Sequence, residues 1–75
     1  MALNACLLIK TTPLETEKVK QRLKRMKDVR KVFVAYGRYD LVAFAQGSTY
    51  ASLRKLTGLV NAIDGVRSTE TLVEA

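Results

Sequence analysis

Residues 29–45 read VRKVFVAYGRYDLVAFA, and the order of elements in the chain follows from how this stretch is parsed. Val29 to Tyr36 is rich in β-branched and aromatic residues, which suit a pleated, half-buried surface, and is predicted as a strand. Gly37-Arg38 makes a tight connection into Tyr39 to Ala45, a second predicted strand. Two strands joined by so short a link form an antiparallel hairpin.

Working outward, Val19, Leu23 and Met26 recur at helical spacing before the hairpin, with lysines and arginines on the other faces. Thr12-Pro13-Leu14-Glu15 opens this helix: Thr12 as N-cap, Pro13 with its pre-set φ at N1, and Glu15 placed to return a hydrogen bond to the cap. Asn4 to Lys10 is apolar on both faces and reads as a central strand. After the hairpin, Ser48 or Thr49 caps a second helix whose inner stripe is Leu53, Leu56, Val60 and Ile63. Gly58 sits mid-helix at a cost of about 1 kcal/mol relative to alanine, where a missing side chain either permits close packing against a neighbour or is neutral. Asp64-Gly65 is a stop with Gly65 suited to the left-handed position after a helix, and Val66 to Glu74 is the last strand.

The order βαββαβ predicts an α+β, ferredoxin-like fold in a single domain, residues 1–75, with both helices on one face of a four-stranded antiparallel sheet. The other face of such a sheet is polar in a monomer. Here it cannot be. Cys6 and Leu8 oppose Ala5, Leu7 and Ile9, while Leu41, Ala43 and Ala45 oppose Val42 and Phe44, so either orientation leaves an apolar patch outside. A patch of that kind marks an association surface, and a homo-oligomer is expected.

Size points the same way. A core built from 75 residues rarely nets more than about 3–5 kcal/mol and needs a staple. Cys6 is the one cysteine and histidine is absent, which excludes an intrachain disulfide and a tetrahedral zinc site. Self-association is the staple left. The lone thiol and the lack of a signal-peptide core or membrane-spanning run predict a cytoplasmic location without membrane contact.

The net charge is +6, and eight of the thirteen basic residues lie between Lys18 and Lys31. A basic run of this kind is ordinarily a solvated face, and it carries no aromatic for stacking on bases. Catalytic chemistry has little to work with. Nucleophile–base pairs usually rest on histidine, Cys6 lies in an apolar strand, and the carboxylates are scattered over different elements. No phosphate loop, dinucleotide fingerprint or CxxC is present, so neither an enzyme nor a cofactor is expected.

Gly37-x-Tyr39-Asp40 between a valine-rich and an apolar strand, in register with Asp28-Val29, Gly65-Val66 and Thr69-x-Thr71, resembles one family from about Ala5 to Val73. It is the effector-binding, or RAM, domain of the Lrp/AsnC transcription regulators. Family regulators place a helix-turn-helix DNA-binding domain before this one, whereas this sequence opens just before the first strand and so resembles the stand-alone form. Direct DNA binding is therefore not expected.

The resemblance implies dimers formed through the sheets, joined into higher assemblies, with a free amino acid bound at contacts between them. It also implies partnership with full-length regulators, whose response the module would adjust. Carried over by position, the ligand-binding residues are Gly37, Arg38, Tyr39 and Asp40 of the turn, with Thr69 and Thr71 of the last strand. Their chemistry suits an amino acid. Asp40 can accept from the ammonium, turn N–H groups and Arg38 can hold the carboxylate, and the threonines can reach across a subunit contact. Two other classes fit the same residues: a purely structural assembly domain without ligand, and a basic nucleic-acid-binding domain that uses the first helix.

Overall fold

The computed structural model describes residues 2–74, with elements β1 (Leu3–Thr11), α1 (Thr16–Lys24), β2 (Val29–Val34), β3 (Leu41–Gly47), α2 (Tyr50–Asn61) and β4 (Val66–Val73). The four strands form one sheet in the order β2-β3-β1-β4, and every neighbouring pair is antiparallel. This is the predicted ferredoxin-like arrangement.

The register decides which set of apolar residues faces the helices. Leu7 pairs with Ala43 on one side and Thr71 on the other, and Ile9 pairs with Leu41 and Thr69. Leu7, Ile9, Leu41 and Ala43 have no solvent exposure and pack with Val19 and Leu23 of α1 and Leu56 and Val60 of α2. The alternate set therefore lines the open face. There Phe33, Phe44 and Leu72 are 38%, 42% and 52% exposed beside half-buried Cys6, Leu8 and Val42, and the two phenyl rings lie 5.9 Å apart. The apolar outer face expected from the alternation is present.

Three local features differ from the sequence reading. Thr12 makes no side-chain cap, and Pro13–Glu15 forms a 3-10 turn before α1 begins at Thr16. The Thr12 N–H is instead donated to Gly65 O at 2.8 Å, which ties the entry of α1 to the turn before β4. Glu15 pairs with Lys18 rather than returning to the cap.

The hairpin connection is also wider than a two-residue turn. The last β2–β3 pair is Val34 with Leu41, so residues 35–40 form a loop. Its end follows β1, because the Asp40 N–H is donated to Ile9 O at 2.9 Å. Finally, a Cβ on Gly58 would meet nothing within 4 Å, so this glycine opens space rather than packing closely. The α2 start is as expected: Thr49 and Ser52 exchange side-chain and backbone hydrogen bonds in a capping box.

Candidate functional site

The loop after β2 brings its chemistry to one end of the sheet. Gly37 lies at φ +118°, a conformation suited to glycine, and it and Arg38 are exposed at the loop tip. Tyr39 and Asp40 are half-buried where the loop rejoins the sheet. Asp40 Oδ2 accepts the Thr11 N–H at 2.8 Å, while its other carboxylate oxygen makes no hydrogen bond among the described residues. One oxygen thus clamps the loop to β1, and one is available to a ligand.

Tyr39 turns toward the open face. Its phenol donates to Glu70 of β4, and Lys10 Nζ lies 5.9 Å from its ring centre. The hydrogen bond to the Glu70 carboxylate, with some burial, raises the Tyr39 pKa above its ordinary value, and Arg38 opposes the shift. Glu70 had no assigned role in the sequence, because only the β1–β4 register carries it over to the loop.

Thr69 and Thr71 lie on the other face of β4, under the helices, as their pairing with Ile9 and Leu7 requires. Thr71 Oγ1 is hydrogen-bonded to Thr57 Oγ1 of α2 at 2.7 Å. This contact lies beside a cleft of about 500 Å³ between α2 and β4, walled by Tyr50, Leu53, Arg54, Thr57, Thr71 and Val73 and opened by Gly58. A volume of that order suits a small ligand. Thr69 Oγ1 is buried without a partner among the described residues, an uncommon state for a buried hydroxyl. Thr57 and Arg54 escaped sequence reasoning, since nothing local marks a helix residue that faces another strand's threonine.

The six candidate residues therefore split into two groups. Tyr39 works on the open face and Thr71 on the helix face, so one subunit cannot close both around one small molecule. Among the described residues no group of three His, Cys, Asp or Glu side chains is placed to hold a metal. Among the described residues no helix is long and apolar enough to cross a membrane.

A four-stranded sheet with two helices on one face, an apolar outer face and polar groups gathered at its end defines a small binding domain of ferredoxin-like fold. The chain belongs to the Lrp/AsnC ligand-binding domain family, whose model matches residues 4–74. Among solved structures it is similar to TTHA0845 from Thermus thermophilus, at 24% identity and a TM-score of 0.93, over 97% of this chain and 92% of that one. Escherichia coli AsnC matches at 19% identity and a TM-score of 0.88, with 96% of this chain covering 50% of that regulator. The feast or famine regulatory protein Rv3291c of Mycobacterium tuberculosis, solved in complex with L-methionine, matches at 19% identity and a TM-score of 0.83, over 96% of this chain and 49% of that one. No curated protein sequence matches the chain significantly.

Proposed function

We propose that this chain is a non-catalytic module that binds a free amino acid at contacts between its own copies. It assembles as a dimer through the open sheet face, and dimers join further. In that state it adjusts the response of full-length Lrp/AsnC regulators. The observation that carries the reading is the match to the Lrp/AsnC ligand-binding domain family over residues 4–74, which spans this chain almost end to end. The L-methionine held by the similar Mycobacterium tuberculosis regulator favours an amino acid as the ligand.

The geometry suits this reading. Asp40 keeps one carboxylate oxygen free for an ammonium, with Gly37, Arg38 and Tyr39 around it. Thr69 and Thr71 sit on the opposite face, so a site that uses both groups draws them from different subunits. Calorimetry against the twenty amino acids, with native mass measured with and without the binder, tests it. One amino acid should bind with a stoichiometry tied to the assembly, and a monomer of 8.4 kDa that binds none would overturn it.

A second reading is favoured by one observation. The Asp40–Thr11 bond is itself a sufficient structural reason for the carboxylate, which fits an assembly domain without ligand. Stable oligomers that bind none of the twenty amino acids would select it.

A further inference from the structure

We propose that the groove between α1 and the outer edge of β2 binds the phosphate backbone of double-stranded nucleic acid without reading its sequence. The groove, of about 260 Å³, is lined by Lys24, Arg30 and Lys31 with Val29 and Val32. Lys20 lies one turn up α1 from Lys24 at i,i−4, on the same helix side. Lys31 leans over Phe33, its Nζ 5.8 Å from the ring centre, so the row of cations wraps round the edge of the sheet.

These cations are unspent. Both ion pairs among the described residues belong to Lys18. The neighbouring acid on α1, Glu17, accepts instead from Gln21 Nε2 at 3.0 Å. None of the four cations forms an ion pair among the described residues, although Asp28 lies near Arg30; their mutual repulsion falls when an anion lies along them, and the chain's net charge of +6 adds a long-range attraction.

Duplex phosphate is favoured over other polyanions by what surrounds the groove. β2 is the outermost strand on its side, but a bulge between Val29 and Lys31 breaks its ladder, which hinders an acidic peptide from adding as a fifth strand. The apolar side of α1, Val19 and Leu23, is spent in the core, so the helix has nothing to insert into a membrane. The one ring beside these cations, Phe33, lies under Lys31 on the open sheet face and outside the groove, so none lines the groove itself to stack the bases of a single strand. The helices lie opposite the open sheet face, so association through that face leaves Lys20 and Lys24 on α1 in solvent in every subunit, with Lys31, which pairs with Phe44, at the border of the association surface.

The test is fluorescence anisotropy with a labelled duplex of about 20 base pairs of random sequence, at about 50 and 200 mM salt. Four phosphate contacts predict a slope of log affinity on log salt of about −3.6, or a loss of about 150-fold over that range. Lys24→Glu with Arg30→Glu should weaken binding at least about tenfold at low salt and lower the slope by about 1.8. The charge-matched control Lys55→Glu with Arg67→Glu, on α2 and β4, should change affinity far less. Lys24→Gln with Arg30→Gln serves if circular dichroism finds the glutamate pair unfolded. No duplex binding at low salt, equal loss in both pairs of variants, tighter binding to a single strand, or preference for anionic vesicles would each overturn the proposal.

Discussion

Asp40, at the end of the loop before β3, is joined to Thr11 of β1: the Asp40 carboxylate accepts the Thr11 N–H at 2.8 Å, while Asp40's own N–H goes to Ile9 O. One residue therefore fastens the loop before β3 to the end of β1 twice. Asp40→Ala removes a charge-assisted bond and leaves a donor unpaired, at a cost of about 1–3 kcal/mol. Asp40→Asn keeps an acceptor and should cost less than about 1 kcal/mol. Urea unfolding reads both. Asp40→Asn should stay folded without the charge and so also isolates the ligand role: amino-acid affinity should fall about 30-fold or more. Wild-type affinity in Asp40→Asn would leave Asp40 as a clamp only.

That clamp also marks where the sequence stops being legible. Element order and the two-sided apolar strands follow from local patterning and are present in the structure; the helix stripes hold except that Met26 and Ile63 pack from just beyond the ends of α1 and α2. The length of the hairpin loop does not, because it is set by Asp40 bonding to β1, a strand 29 residues away from it by way of Thr11. The α1 start is hidden for a like reason. Thr12 looks like a cap until its N–H is drawn to Gly65, at the far end of the chain. The candidate residues could be named individually, yet their division between opposite faces needs the β1–β4 register, which no local pattern encodes.

Two glycines share a positive φ and should respond very differently to alanine. A Cβ on Gly65 would lie 2.8 Å from Glu15 Cβ and 3.1 Å from Val19 Cγ2, whereas at Gly37 it would meet nothing within 4 Å. Gly37→Ala should cost only the backbone strain, about 1–2 kcal/mol. Gly65→Ala adds a clash with α1 and should cost about 2–4 kcal/mol, most of what a core of this size supplies. Thermal melts at one fixed protein concentration would rank them. Equal losses would mean that the Gly65 backbone moves away freely.

Tyr39 offers a pH-dependent readout of its bond to Glu70. Its raised pKa means that the fold favours the protonated phenol. The stabilisation is fully present below the ordinary tyrosine value, about 10, and is lost as pH rises through the folded value. In a Tyr36→Phe, Tyr50→Phe background, an ultraviolet-absorbance titration should place Tyr39 above the free phenol. Glu70→Gln should bring it back down, since the hydrogen bond to the carboxylate is the largest cause. An unchanged titration in Glu70→Gln would remove Glu70 as the partner in solution.

Leu7 and Leu8 are adjacent in β1 and face opposite ways, so the same substitution should fail differently at each. Leu7 has no exposure and packs among both helices, and a lysine there would bury an unpaired charge worth several kcal/mol. Against a net stability of about 3–5 kcal/mol, Leu7→Lys should abolish the fold, seen as lost helical circular dichroism. Leu8 is half-buried on the open face opposite Val42, where a lysine can turn its ammonium to solvent. Leu8→Lys should therefore keep the subunit folded and remove the assembly, seen by native mass spectrometry as a shift to 8.4 kDa. Cys6 supplies a second measure, since it lies on the same open face one pleat from Leu8 and its thiol is already pushed up by burial. Maleimide labelling of Cys6 should be slow in the wild-type assembly and faster in folded Leu8→Lys. A folded Leu8→Lys that retained its mass and its slow Cys6 would mean that the copies meet elsewhere, and the open face would then need another cover.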